Sequence, residues 1–188
     1  KKIEGSNKST EMIKHLIQNK SVFDMPAEMQ PAAENVGAFE TTDIDGNAYT
    51  EKVFSDYDLT LVNCFTTWCS PCVNEMPDLD KLLSGDEGKG CGRSWNGYRF
   101  CRRGWNYRMK ICEKSSRFLK EKTGVTYPLL IPDAGNMNGR ISGLSSFPES
   151  FFVDKDGNIV GDPIMGSKNL EDWKTAVEDA LEKINSGK

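Results

Sequence analysis

Apolar positions along the chain fall into short blocks that alternate between a helical and an extended rhythm. Met12, Ile13, Leu16 and Ile17 recur at helical spacing behind Ser9 and Thr10, either of which can cap unpaired backbone donors, so a short amphipathic helix is predicted there. Pro26 and Pro31 bracket a stretch that reads as a linker, because proline resists continuation of regular structure. The chain therefore divides into a polar tail, short helix and linker at 1–35 and a main domain at 36–188. Asp45, Gly46 and Asn47 separate two extended stretches, 39–44 and 48–54, with the turn chemistry of a β-hairpin. Leu59 to Phe65 is apolar on both faces, as a central strand should be.

Ser70 and Pro71 can open a helix running to about Leu83, since proline is tolerated in a first turn, and Pro77 is expected to kink it. A second helix is predicted over 113–123 and closed by Gly124, followed by an extended apolar stretch at 127–131. Residues 147–153 lead through Asp156 and Gly157 into 158–160, a second hairpin. The last helix starts near Asn169 and buries Leu170, Trp173, Val177, Leu181 and Ile184 on one stripe. This order predicts an α/β fold, a mixed central β-sheet flanked by helices, with an N-terminal β-hairpin and a helical extension.

Composition narrows the class without naming a chemistry. At 188 residues, 37% hydrophobic and 28% charged, the chain fits one globular domain with additions, and no stretch reaches the roughly 20 apolar residues of a membrane-spanning helix. A net charge of −4 offers no general attraction to nucleic acid. The start at Lys1 and Lys2, followed by the polar run 5–10, is expected to follow a removed export segment or a construction boundary.

The chemistry lies in the cysteines. Cys69 and Cys72 stand two residues apart at a strand-to-helix junction, where a disulfide ring can present its first sulfur at a helix N-terminus. Unpaired backbone donors there stabilise thiolate, which makes Cys69 the expected nucleophile and Cys72 the group that resolves a mixed disulfide. The alternatives for such a pair are a zinc half-site or two unrelated core cysteines. Zinc needs a second pair or matching histidines; Cys64, Cys91, Cys101 and Cys112 form no second Cys-x-x-Cys, and His15 is the one histidine. No metal is expected. Cys64, inside the central strand, reads as an apolar filler.

Trp68, Cys69, Ser70, Pro71, Cys72, Glu75 and Pro77, with Phe147 and Pro148, resemble the thioredoxin superfamily, and within it the TlpA/ResA-like extracytoplasmic thiol-disulfide oxidoreductases. Asn63, six residues before the first cysteine, and the Asp45-Gly46 turn match that group as well. The resemblance covers roughly residues 36–184. It implies a thioredoxin-like fold, a cis peptide bond at Pro148 beside the sulfurs, and no cofactor beyond the redox-active Cys69–Cys72 disulfide. It also implies protein thiol or disulfide substrates, a membrane-bound electron donor, and an extracytoplasmic domain that meets the membrane only through an N-terminal anchor. Glu75, one turn beyond Cys72, could exchange a proton with the resolving thiol, against the plainer reading of a solvated helix carboxylate. Trp68, Phe147 and Pro148 become candidates for contacting substrate.

One segment conflicts with this pattern. The superfamily places a buried strand between the active-site helix and the next one, and residues 91–108 instead carry five of the seven arginines, two of the four tryptophans and two of the six cysteines. No three consecutive residues there are aliphatic, and 88–112 contains no acid, so the segment is expected not to supply the strand. A basic, aromatic insertion for an acidic partner is one reading. The other is a local frame error, because codons can be chosen for this stretch that read, when displaced, as an apolar segment of the Gly-Met-Ala-Ile-Asp kind; an intact mass matching the written sequence would refute it. Two other functions compete with disulfide exchange. A metal-handling module would call for Cys-x-x-x-Cys and a distant histidine. A thiol peroxidase would call for one activated cysteine set among Thr and Arg.

Overall fold

The apolar run at 59–65 forms the centre of the sheet. In this computed structural model residues 34–84, 95–101, 109–132, 137, 139–141, 144 and 146–186 are described, with the backbone alone at 84, 95–101 and 109–113. The helix predicted at 12–17, the linker at 26–31 and Cys91 lie outside these residues, as do the side chains of Cys101 and Cys112. Strand β3 (Leu59–Phe65), buried along its whole length, pairs in parallel with β4 (Trp95–Cys101) and antiparallel with β6 (Glu149–Asp154). β5 (Leu129–Leu130) and β7 (Ile159–Met165) close the edges, in the order β5-β4-β3-β6-β7. The helices are α1 (Ser70–Asn74), α2 (Met76–Ser84), α3 (Met109–Thr123) and α4 (Leu170–Ser186). The sheet is thus mixed and joined to helices, an α/β thioredoxin-like architecture.

Strand β4 corrects an expectation. Residues 95–101 do supply the strand, in register with β3 from Leu59↔Trp95 to Phe65↔Cys101. A ladder is built from backbone N–H and C=O groups, which every residue but proline provides in full, and this stretch has no proline. It also holds Trp95, Tyr98 and Phe100, residue types favoured in strands. The aliphatic run looked for in the sequence is a demand of packing, which the ladder itself does not make.

Two apolar cores flank the sheet, and the two-residue period of β3 sorts its side chains between them. Leu59, Leu61 and Phe65 join Cys69, Cys72, Met76, Trp173 and Val177 on one face. Val62 and Cys64 join Phe39, Phe54, Phe151 and Val153 on the other. Asn63 shares its parity with Leu61 and Phe65, and so belongs to the face that holds the two cysteines. On α4 the stripe is narrower than expected: Trp173, Val177 and Ala180 are buried, whereas Leu170, Leu181 and Ile184 are partly exposed. Gly124 closes α3 at φ +70, donating its N–H to the Lys120 carbonyl, a left-handed cap that side-chain-bearing residues seldom adopt.

The first hairpin pairs β1 (Glu40–Thr42) with β2 (Ala48–Thr50) and lies against the edge strand β5. Ile44 N–H donates to the Leu129 carbonyl, Ile131 N–H to the Thr42 carbonyl, and the Thr41 hydroxyl to the Ile131 carbonyl, so the open edge of the sheet is covered. The second strand stops at Thr50, short of the expected Phe54, because the Thr50 side chain caps a 3-10 turn over Glu51–Phe54. That turn brings Phe54 edge-on to Phe39, with ring centroids 5.9 Å apart.

Both hairpin turns read Asp-x-Asp-Gly-Asn, at 43–47 and 154–158, and both are organised by their first residue. Asp43 accepts from the N–H groups of Asp45 and Asn47 at 2.9 Å and from Asn47 Nδ2 at 2.8 Å; Asp154 repeats this pattern with Asp156 and Asn158. At Asp43 burial opposes the charged carboxylate, but these hydrogen bonds and one from the Tyr49 hydroxyl outweigh it, holding its pKa below the ordinary carboxylate value. A depressed folded-state value contributes stability that is fully present above the ordinary carboxylate range and disappears as pH falls through the folded value. Asp43→Asn is therefore expected to cost about 1 to 2 kcal/mol at neutral pH, and less in acid. Urea midpoints at pH 7 and near pH 3 check this; an equal loss at both would remove the carboxylate charge from the explanation.

Candidate active site

The disulfide forms where β3 ends and α1 begins. After Phe65 the chain turns through Thr66 to Trp68, and Cys69 N–H donates to the Thr66 carbonyl at 3.2 Å. Cys69 is the N-cap of α1, with Pro71 in the first turn where its missing N–H leaves nothing unpaired. The cap places Cys69 Sγ 3.2 Å from Cys72 N–H, which donates to it, and the two sulfurs are bonded with Cα atoms 5.3 Å apart. Cys69 retains 6% exposure and Cys72 none. The first sulfur is the more accessible, as expected, but it lies nearly covered instead of facing open solvent.

Two elements adjoin it. Trp68 stands 64% exposed beside the disulfide and meets Phe147 edge-on at 6.5 Å. The Phe147–Pro148 peptide is cis, and the Phe147 carbonyl oxygen lies 3.7 Å from Cys69 Sγ. Gly166 N–H holds the Pro148 carbonyl at 2.9 Å, fastening this loop to the end of β7. The sequence-expected residues Trp68, Cys69, Cys72, Phe147 and Pro148 therefore come together.

Glu75 sits at a break in the helix. Pro77 has no N–H to give to Val73, so the ladder fails two residues before the proline, and α1 ends at Asn74 with Glu75 as its C-cap. The helix resumes as α2, with Asp78 and Leu79 N–H groups donating to the Glu75 carbonyl. At this break Glu75 is only 2% exposed, which replaces the solvated reading. Asn63 Nδ2 donates to Glu75 Oε1 at 2.9 Å and also meets Ser150 Oγ at 2.7 Å, and Lys168 N–H approaches Glu75 Oε2 at 3.4 Å. A buried polar chain thus links β6, β3 and the active-site helix behind Cys72.

Sequence reading missed three parts of this surrounding. Ser150 completes the Asn63 network. Phe118 and Met165 are, with Trp68, the exposed large hydrophobics among the described residues. Phe118 shares a groove of about 400 Å³ with Thr67 and Lys114, next to Trp68. Met165 Sδ is 3.9 Å from the Ser146 hydroxyl, adjoining Phe147. The signal for Phe118 was an aromatic on the polar side of a helix; no local signal marked the others. Cys64 packs in the opposite core, on the face of the sheet away from the disulfide.

No protein-family model matches the chain. Among curated proteins it is 29% identical over 150 residues to the thiol-disulfide oxidoreductase ResA of Bacillus thuringiensis subsp. konkukian, covering 78% of this chain and 74% of that one. Together the curated relatives and the solved neighbours support a ResA/TlpA-like thiol-disulfide oxidoreductase of the thioredoxin superfamily. Among solved structures, this oxidoreductase matches the thioredoxin-family thiol:disulfide interchange protein of Chlorobium tepidum with a TM-score of 0.60 and 21% identity, covering 77% and 93% of the two chains. The exposed lipoprotein thioredoxin Etrx1 of Streptococcus pneumoniae aligns with a TM-score of 0.56 and 20% identity over 76% and 99%. At these identities the structural likeness carries the fold, and the ResA likeness carries the enzyme class.

Proposed function

We propose that this oxidoreductase reduces disulfides in extracytoplasmic proteins, with Cys69 as nucleophile, Cys72 as resolving thiol and Glu75 as its proton acceptor. The observation that carries this reading is the asymmetry of the pair: Cys69 caps the helix beside the cis Phe147–Pro148 loop, while Cys72 is wholly enclosed in front of a buried carboxylate. In the reduced enzyme, the Cys72 N–H that now meets Cys69 Sγ stabilises a thiolate there. That thiolate attacks one sulfur of a substrate disulfide, joining Cys69 to the substrate and releasing the other sulfur as thiolate. Cys72 then gives its proton to Glu75 and attacks Cys69 Sγ, which re-forms the disulfide and releases the second substrate thiolate. Two electrons pass from the enzyme dithiol to the substrate, and the proton on Glu75 leaves to solvent or product.

Asn63 Nδ2 donates to Oε1 of the buried Glu75 and so fixes the carboxyl group one helical turn from Cys72. Trp68, Phe147 and Pro148 contact the substrate segment around its cysteine. No cofactor other than the disulfide enters this cycle, and a membrane-bound donor returns the two electrons. Likeness to an exposed lipoprotein thioredoxin supports an extracytoplasmic position with an N-terminal membrane anchor.

The test is a redox titration of the Cys69–Cys72 pair together with insulin reduction by the pre-reduced protein. A midpoint potential near about −270 mV, with insulin reduced, is expected of a reductant. A value near about −120 mV would make the protein an oxidant instead.

A further inference from the structure

Behind the cis-proline loop, on the face of the sheet away from the disulfide, two charged side chains are buried together. Arg140 Nη2 lies 2.5 Å from Glu149 Oε1, and each side chain is 6% exposed. The Arg140 guanidinium also stands 4.5 Å above the Phe151 ring. Glu149 directly follows Pro148 and opens β6, where it pairs with Cys64 on one side and Met165 on the other. Arg140 belongs to the crossover that leads from β5 back to β6. The pair therefore ties the crossover to the one residue through which the cis peptide enters the sheet.

A buried ion pair is a poor investment for stability alone, since apolar residues of similar size often serve as well, and its best-supported use is to specify one arrangement. The arrangement available here is that of the substrate-facing loop. Pro148 is held through its own carbonyl by Gly166 N–H, and its successor is held from the opposite face by a planar, hydrogen-bonding cation stacked on Phe151. Arginine suits this task, because lysine can match the charge but not the stacked plane.

We infer that Arg140 and Glu149 are positioning residues that fix the Phe147–Pro148 loop for protein substrates, without acting on the sulfur chemistry itself. The inference rests on the proposed role of that loop in receiving substrate. Arg140→Lys and Glu149→Gln keep a hydrogen-bonding group at each position, and the dithiothreitol rate and midpoint potential report whether each variant has kept its fold. Each is assayed for insulin reduction, for reaction with dithiothreitol and for the midpoint potential of the pair. The expected result is a KM for insulin raised about tenfold, with kcat, the dithiothreitol rate and the potential unchanged. An unchanged KM, or a parallel loss with insulin and dithiothreitol, would overturn the inference. Failure of the wild-type protein to reduce insulin would instead overturn the reading beneath it, and the two failures are told apart by that control.

Discussion

Replacing Cys69 by Ser is expected to abolish insulin reduction, a loss of at least about 10³-fold to the uncatalysed rate, while replacing Cys72 by Ser leaves the protein covalently joined to its substrate. The difference follows from the positions of the sulfurs. Cys69 is the more exposed of the two and accepts the Cys72 N–H, so it is the sulfur that a partner can reach and the one that the helix end stabilises as thiolate. Cys72 has no exposure and can attack only a sulfur already delivered to Cys69. Without Cys72 the mixed disulfide forms and persists, and mass spectrometry of the Cys72→Ser protein mixed with an oxidised substrate should show a one-to-one adduct through Cys69. Turnover by Cys69→Ser, or an adduct carried by Cys72, would reverse the assigned roles.

Glu75→Gln is expected to slow resolution of the mixed disulfide by about 10²-fold, the ordinary size of a general-base contribution. Glutamine keeps the volume and still accepts from Asn63 Nδ2, so the helix break and the link to Ser150 remain in place. What it cannot do is accept a proton from Cys72. The effect should therefore appear in the lifetime of the mixed disulfide and in the pH dependence of its decay, while the melting temperature stays near that of wild type. Rapid-quench measurement across pH 4 to about 8 reads both quantities. A profile superimposable on wild type would make Glu75 a structural member of the network alone.

These three residues also show how differently parts of the site could be read in advance. Cys69 and Cys72 were legible because their chemistry depends on a spacing within one turn of helix, and the proline between them marks that turn. Glu75 was legible only as a candidate, since a glutamate on a helix is commonly solvated. Its burial comes from the break that Pro77 imposes and from Asn63, twelve residues away, reaching it across the face of the sheet. Strand β4 shows the opposite case: the unfavourable composition of 95–101 suggested that no strand would form, yet β3 and β5 offer ladders on both sides that backbone groups alone can satisfy.

By itself the order of amino acids determined what depends on near neighbours: the apolar run of β3, the two Asp-Gly turns, the proline-opened helix and the cysteine pair at its start. Tertiary structure alone decided that Asn63, Glu75 and Ser150 share one buried chain, that Phe118 lines a groove with Thr67 while Met165 meets Ser146, and that Arg140 finds Glu149. The reason is physical. A local preference acts through the few bonds that separate residues along the backbone, whereas a buried contact between distant residues exists only once strand register and crossover path have placed them on the same face, and neither quantity is written in any single stretch of chain.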